Sequence, residues 1–279
     1  MICVLEIILY EVNFKICNMA KHKFTLEEVL AGKATRIKGK DFFKTSDYLE
    51  PFIDRMSKYT DNFTVEVKMP DQITLTENGE ILSDDLTFNR VHIEAVLPNE
   101  YAFEGHTQVI GMVYGLDVLK PVAKLYSGAE RSACTNLCVF SPNGLAIQEI
   151  QPESALDYAP IERLMNRTET IGKTLRMLSE TNFEASDINI NESLGRWIRN
   201  AMGMNYSNGY GKVKIATSMV LDAYKDLFED EDSPYYTGDE DCTMYNVYNA
   251  FTQQVTNNMS KDCFTRYEKT LLVGRILGI

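Results

Sequence analysis

A chain of 279 residues that is 44% hydrophobic and 24% charged holds enough apolar material for one large domain or two ordinary ones, and too much for wholesale disorder. Forty acidic residues against 28 basic ones leave a net charge of −12, shared evenly between the two halves of the chain. Such a field works against non-specific attachment to phosphate backbones or anionic lipid and suits a basic partner.

The first eighteen residues carry an apolar run, Ile7-Ile8-Leu9, broken on either side by Glu6 and Glu11 and preceded by no basic stretch. They match neither a secretory signal nor a membrane span, and residues 1–18 read as an N-terminal extension or an extra strand ahead of Met19. Thr25 and Glu28 then form a capping box in front of Val29-Leu30, and Gly32 stops the helix. A basic stretch follows at 33–44. A second helix is predicted from Ser46, with Tyr48, Phe52, Ile53 and Met56 on one face.

Between residues 62 and 150 the period changes to two. Strands are predicted at Phe63–Lys68, Gln72–Thr76, Phe88–Leu97, Gln108–Tyr114, Pro121–Tyr126, Ala133–Phe140 and Leu145–Ile150, with a tight turn at Asn78-Gly79. Consecutive strands without helical spacers predict a mostly antiparallel sheet. After Pro152 the spacing turns helical. One long helix is predicted through Ile161, Leu164, Ile171, Leu175 and Leu178, and others through Leu194–Ala201, residues 212–228, Met244–Val255 and Phe264–Leu272. The fold class is α+β: an N-terminal mostly antiparallel sheet with flanking helices over residues 19–152, followed by a helical region over 153–279.

No chemistry-bearing motif emerges. His22, His92 and His106 stand far apart without HxH or HExxH spacing, and no GxSxG occurs, so no residue is assigned a catalytic role. Cys3, Cys17, Cys134, Cys138, Cys242 and Cys263 form no CxxC pair and read as free thiols of a reducing compartment. Gly209-Tyr-Gly211-Lys212 lacks phosphate-loop spacing and reads as a loop. No metal or cofactor is expected.

Two charge runs stand out. Residues 226–241 (DLFEDEDSPYYTGDED) carry eight acids and no base, with Tyr235-Tyr236 among them. A solvated loop is the plain reading, but adjacent exposed tyrosines among carboxylates also suit recognition. The order of acids does not match a calcium loop. Asp230, Glu231, Asp232, Tyr235, Tyr236, Asp239 and Asp241 are the candidate partner-binding residues. The basic run, Lys33, Arg36, Lys38, Lys40 and Lys44 with Phe42-Phe43, is the alternative candidate for single-stranded nucleic acid, against the plain reading of a surface loop.

The stretch Val118-Leu-Lys-Pro-Val-Ala-Lys-Leu-Tyr126, followed by Arg131-Ser-Ala-Cys-Thr-Asn-Leu-Cys-Val139, is similar to the sheet segment of an uncharacterised phage/plasmid-like protein family, in which an apolar strand precedes a small-Cys-x-Asn-Leu element. Tyr245-Asn-Val-Tyr-Asn-Ala-Phe-Thr252 resembles that family's closing helical segment. The resemblance is patchy, covers about half of the chain, and supplies no catalytic residues. It implies a bacteriophage or mobile-element origin. Taken together, the expectation is a non-enzymatic, phage-encoded protein in the cytoplasm of a bacterial host. It would engage a host protein complex, with inhibition of an anti-phage defence as the concrete version. It would self-associate through its C-terminal helices and have no membrane partner. A single-strand annealing or replication accessory factor is the alternative.

Overall fold

The structure is a computed structural model that describes residues 24–35, 42–68, 87–88, 90–98, 105–115, 122–131, 136–140, 145–149, 159–183, 190–207, 212–238, 242–257 and 263–279. The N-terminal extension, the strand at 72–76 with its turn, and Arg36, Lys38, Lys40, Asp239 and Asp241 lie outside the described residues.

Helix α1 (Leu26–Ala31) begins as its sequence dictates. Thr25 Oγ1 accepts from the Glu28 amide at 3.2 Å and Glu28 Oε2 accepts from the Thr25 amide at 2.7 Å, which closes the capping box. Strands β1 (Lys33–Thr35) and β2 (Phe42–Lys44) pair antiparallel, and β1 also pairs parallel with β4 (Thr87–Phe88). Helix α2 (Ser46–Met56) buries Tyr48, Leu49, Phe52 and Met56.

The main sheet is antiparallel throughout, as the period-two strands predict. Its order is β3 (Phe63–Lys68), β5 (Arg90–Val96), β6 (His106–Gly115), β7 (Val122–Arg131) and β8 (Leu137–Cys138), with β9 (Leu145–Glu149) also on β7. Strand β7 outruns its predicted end at Tyr126 because ten-residue β6 pairs with it along its whole length, down to His106 opposite Arg131. Gly128 permits this: a Cβ there would stand 2.7 Å from Leu137 Cδ1. Of the strand predicted at 133–140, Leu137–Cys138 pairs with β7, and residues 133–135 lie outside the described residues.

One sheet face is apolar. Val91, Ile93 and Ala95 of β5, Ile110, Met112 and Tyr114 of β6, and Ala123 and Leu125 of β7 form a core with α2 and with Ile161 and Leu164 of α3 (Ala159–Met165). The opposite face carries His92, Glu94, Lys124 and Tyr126, the alternation that normally marks a solvated surface. All four are buried here, because the C-terminal helix α8 (Arg266–Leu277) lies across them. Phe264, Tyr267 and Leu271 meet Val109, Val113 and Tyr126 on the sheet, while Leu272, Val273 and Ile276 belong to the helical core behind. Helix α8 is thus covered on both sides.

Charges are matched across this seam. Lys124 Nζ donates to Glu268 Oε1 at 2.5 Å, and the Tyr267 hydroxyl donates to the same oxygen at 2.7 Å. Arg266 Nη1 stands 2.8 Å from Glu130 Oε1 and 3.8 Å from Glu94 Oε2. The Tyr126 hydroxyl donates its single hydrogen to Glu94, so His92 Nε2, 2.7 Å from that hydroxyl oxygen, must be the donor to it. The Tyr126 and Tyr267 rings stack at 4.9 Å with 10° between their planes. Gly111, opposite both Glu94 and Tyr126 in the register, leaves room for the Tyr126 ring, which a Cβ would approach to 2.1 Å.

The helical layer comprises α4 (Thr168–Glu180), α5 (Ile190–Gly203), α6 (Thr217–Phe228) and α7 (Met244–Asn257) besides α8. The single long helix predicted through 161–178 is two. The Arg167 amide bonds to Leu164 O, one residue short of α-helical spacing, and this tight turn at Asn166-Arg167 separates α3 from α4. The helix predicted from 212 starts at Thr217, since Lys212–Val213 (β11) pairs with Tyr206–Ser207 (β10) instead. Trp197 of α5 packs edge-on against Phe251 of α7 with centroids 5.3 Å apart. Among the described residues, no helix is long and apolar enough to cross a membrane.

Candidate functional site

The acidic run folds back on its own helix. After α6 the Glu229 and Asp230 amides both close on Lys225 O, each at 3.0 Å. Ser233 N donates to Asp230 O at 2.9 Å, the Tyr235 amide donates to Ser233 Oγ at 3.2 Å, and Thr237 N returns to Leu227 O at 3.1 Å. Gly238 sits at φ 60°, a left-handed position that glycine takes without strain. A highly charged stretch is thereby fixed by local hydrogen bonds to its own backbone and to Ser233.

Tyr235 completes the anchor. Its hydroxyl donates to Gln253 Oε1 of α7 at 2.6 Å, and the side chain is only 8% exposed. The sequence placed both tyrosines at the surface. Tyr235 instead turns into the helical core, because a ring beside α6 and α7 buries apolar area while its hydroxyl keeps a partner. Tyr236 is exposed.

Between the loop, α6, α7 and the end of β7 lies a cleft of about 560 Å³. Asp226, Asp230 and Asp232 line it on the acidic side, with Arg131 the cation among its lining residues; Tyr235, Gln253 and Asn257 complete the polar lining. Gln254 Nε2 donates to Asp226 Oδ2 at 2.7 Å, and Gln253 Nε2 to Asn257 Oδ1 at 2.6 Å. The Asp226 carboxyl is pushed above the usual range by burial, with Asp230 and Asp222 adding repulsion and the Gln254 bond opposing them. Three carboxylates against one guanidinium make a recess that attracts cations.

Among the residues predicted to bind, Asp230, Asp232 and Tyr235 come together here. Glu231 and Tyr236 are exposed on the same loop outside the cleft lining, and Asp239 and Asp241 lie outside the described residues. Sequence reasoning missed Arg131, Gln253 and Asn257 as members of this site. Only Asp226 carried a signal, as the first acid of the run; Arg131 arrives from a strand almost a hundred residues earlier. For the basic run, the β1–β2 register sets Lys33 opposite Lys44.

The described histidines do not form a catalytic pair. His92 is part of the sheet–helix seam, and His106 Nε2 lies 3.1 Å from the Tyr245 hydroxyl. Cys138 and Cys242 are both buried. Among the described residues, no group of three or more His, Cys, Asp or Glu side chains is arranged to hold a metal ion.

No protein-family model matches the chain, and no curated protein or solved structure matches it.

Proposed function

We propose that this is a non-enzymatic binding protein whose acidic cleft takes a lysine or arginine side chain from the surface of a partner protein. The observation that carries the reading is the anchored loop. Its carboxylates face a recess from a framework held by Tyr235 and by backbone bonds to Leu227 and Lys225, so little ordering entropy is lost when a ligand docks. Net charge of −12 steers a basic surface toward it. The resemblance to a phage/plasmid-like family makes a bacterial protein complex the natural target, with inhibition of an anti-phage defence as the specific role.

Affinity purification of the tagged protein from infected bacteria tests this. One stoichiometric host complex, released by salt, is the expected result. Recovery of replication proteins, together with a low-salt mobility shift of single-stranded DNA, would instead support the nucleic-acid reading centred on Lys33 and Lys44. Because the Asp226 carboxyl is raised, capture of a cationic group should weaken on acidification earlier than it would with ordinary aspartates.

A further inference from the structure

The cleft beside the acidic loop carries opposite charges that do not neutralise one another. Among the described residues, the half-buried Arg131 guanidinium makes no ion pair within 4.0 Å, although Asp226, Asp230 and Asp232 line the same recess. The cations of the sheet–helix seam behave differently. There Lys124 Nζ meets Glu268 Oε1, and Arg266 Nη1 meets Glu130 Oε1 at 2.8 Å. Strand alternation separates the two neighbours at the end of β7: Glu130 turns to Arg266, and Arg131 lines the cleft.

Most of the other polar lining is committed to holding the cleft together. The Tyr235 hydroxyl donates to Gln253 Oε1 and Gln253 Nε2 donates to Asn257 Oδ1, each at 2.6 Å. Asp226 Oδ2 accepts from Gln254 Nε2 at 2.7 Å, and Asp230 Oδ1 accepts from the Asp232 amide at 3.3 Å. The Asp232 carboxylate and the Arg131 guanidinium have no side-chain partner among the described residues. Carboxylates and guanidinium thus stand at separate points of one recess of about 560 Å³, a size usual for ligand pockets. A simple anion meets three aspartates there, and a simple cation leaves Arg131 unpaired. A ligand that carries both charges, set apart from each other, satisfies both sides. Arginine is the side chain best shaped for the anionic end, since its planar fork holds a carboxylate through two parallel N–H···O bonds.

We infer that the cleft takes a basic amino-acid residue together with its own free α-carboxylate, the cationic side chain on the aspartates and the carboxylate on Arg131. This rests on the reading of the cleft as a receptor for a lysine or arginine side chain, and narrows it. In a partner protein, such a residue is the last of its chain. Free arginine and free lysine carry the same chemistry.

Titration calorimetry on the full chain at low salt tests this with short, otherwise neutral peptides. One ends in arginine with a free carboxylate, one is the same peptide ending in an amide, and one ends in alanine with a free carboxylate. The arginine acid should bind at least about tenfold more tightly than its amide, the discrimination that a charged hydrogen bond supplies, and more tightly than the alanine acid. Arg131→Gln should bring the arginine acid down to the amide, whereas Asp226→Asn, Asp230→Asn and Asp232→Asn together should weaken both arginine peptides. Equal affinity of acid and amide, with both dependent on the aspartates, would overturn this inference and leave the basic-side-chain reading standing. Binding of neither arginine peptide, or of the alanine acid as tightly as the arginine acid, would overturn both. Free arginine, titrated in parallel, separates the sources: affinity at or above that of the peptide assigns the same chemistry to a free amino acid, and weaker binding assigns it to a chain terminus. A check that needs no variant follows the Arg131 Nε–H resonance of the nitrogen-labelled wild-type chain. It should shift with the arginine acid and stay in place with the amide; a resonance unmoved by either peptide would overturn the assignment.

Discussion

Replacing Glu268 with leucine removes the buried carboxylate that holds the Lys124 ammonium. Lys124 is 2% exposed and Glu268 fully buried, so water cannot take the carboxylate's place without opening the seam. Removing one partner of a buried ion pair costs about 3–5 kcal/mol, a large part of the roughly 5–15 kcal/mol that holds a domain together. At roughly 2 °C per kcal/mol for a chain of this size, the melting temperature should fall by about 6–10 °C. Replacing both members, Lys124→Met with Glu268→Leu, removes the buried ammonium as well and should recover part of the loss, the Tyr267 hydroxyl still having lost its bond to Glu268 Oε1. The deficit of the single variant also has a predictable pH dependence. Burial already lowers the Lys124 ammonium from its usual range against the pull of Glu268. Without Glu268 it falls further, and the penalty for a buried charge shrinks as pH rises and the amine discharges. Urea melts read from the single tryptophan, which sits in the helical core, measure all three quantities. A single variant within about 1 kcal/mol of wild type, or a double variant no more stable than the single, would refute the reasoning.

Gly111→Ala should destabilise by about 3 kcal/mol or more, at the upper end for overpacking, because the Tyr126 ring in its way is fixed by Glu94, His92 and Tyr267; thermal melts check this, and an unchanged melting temperature would mean the ring can move. Tyr235→Phe removes the hydroxyl that holds the acidic loop to Gln253 and should cost about 1 kcal/mol, with faster amide exchange confined to residues 230–238. If exchange there is unaltered, the loop owes its order to the backbone bonds alone. Thr25→Ala should cost about 1 kcal/mol through loss of the capping box on α1, measurable by the same urea melts.

Local signals were legible in the sequence where local chemistry decides structure. The capping box of Thr25 and Glu28, the alternation of Phe63–Lys68 and the apolar stripe of α2 each depend on neighbours within a few residues, and each produced its element. What one strand's alternation cannot reveal is what covers its polar face. His92, Glu94 and Lys124 look like solvent-facing positions until α8, more than a hundred residues later, supplies Arg266 and Glu268 to meet them. The candidate site divides in the same way. The acidic run was visible as composition, but the burial of Tyr235 depends on Gln253, and the cleft depends on Arg131, so its shape is a property of the tertiary fold.

The cleft is best tested by capture with the full chain carrying Asp226→Asn, Asp230→Asn and Asp232→Asn together. Asparagine keeps the size of each side chain and can still accept from Gln254, so a melt at or above wild type will show that the fold is intact. This variant should lose the stoichiometric host complex expected with the wild-type chain from infected cells. Undiminished capture by the folded variant would contradict it.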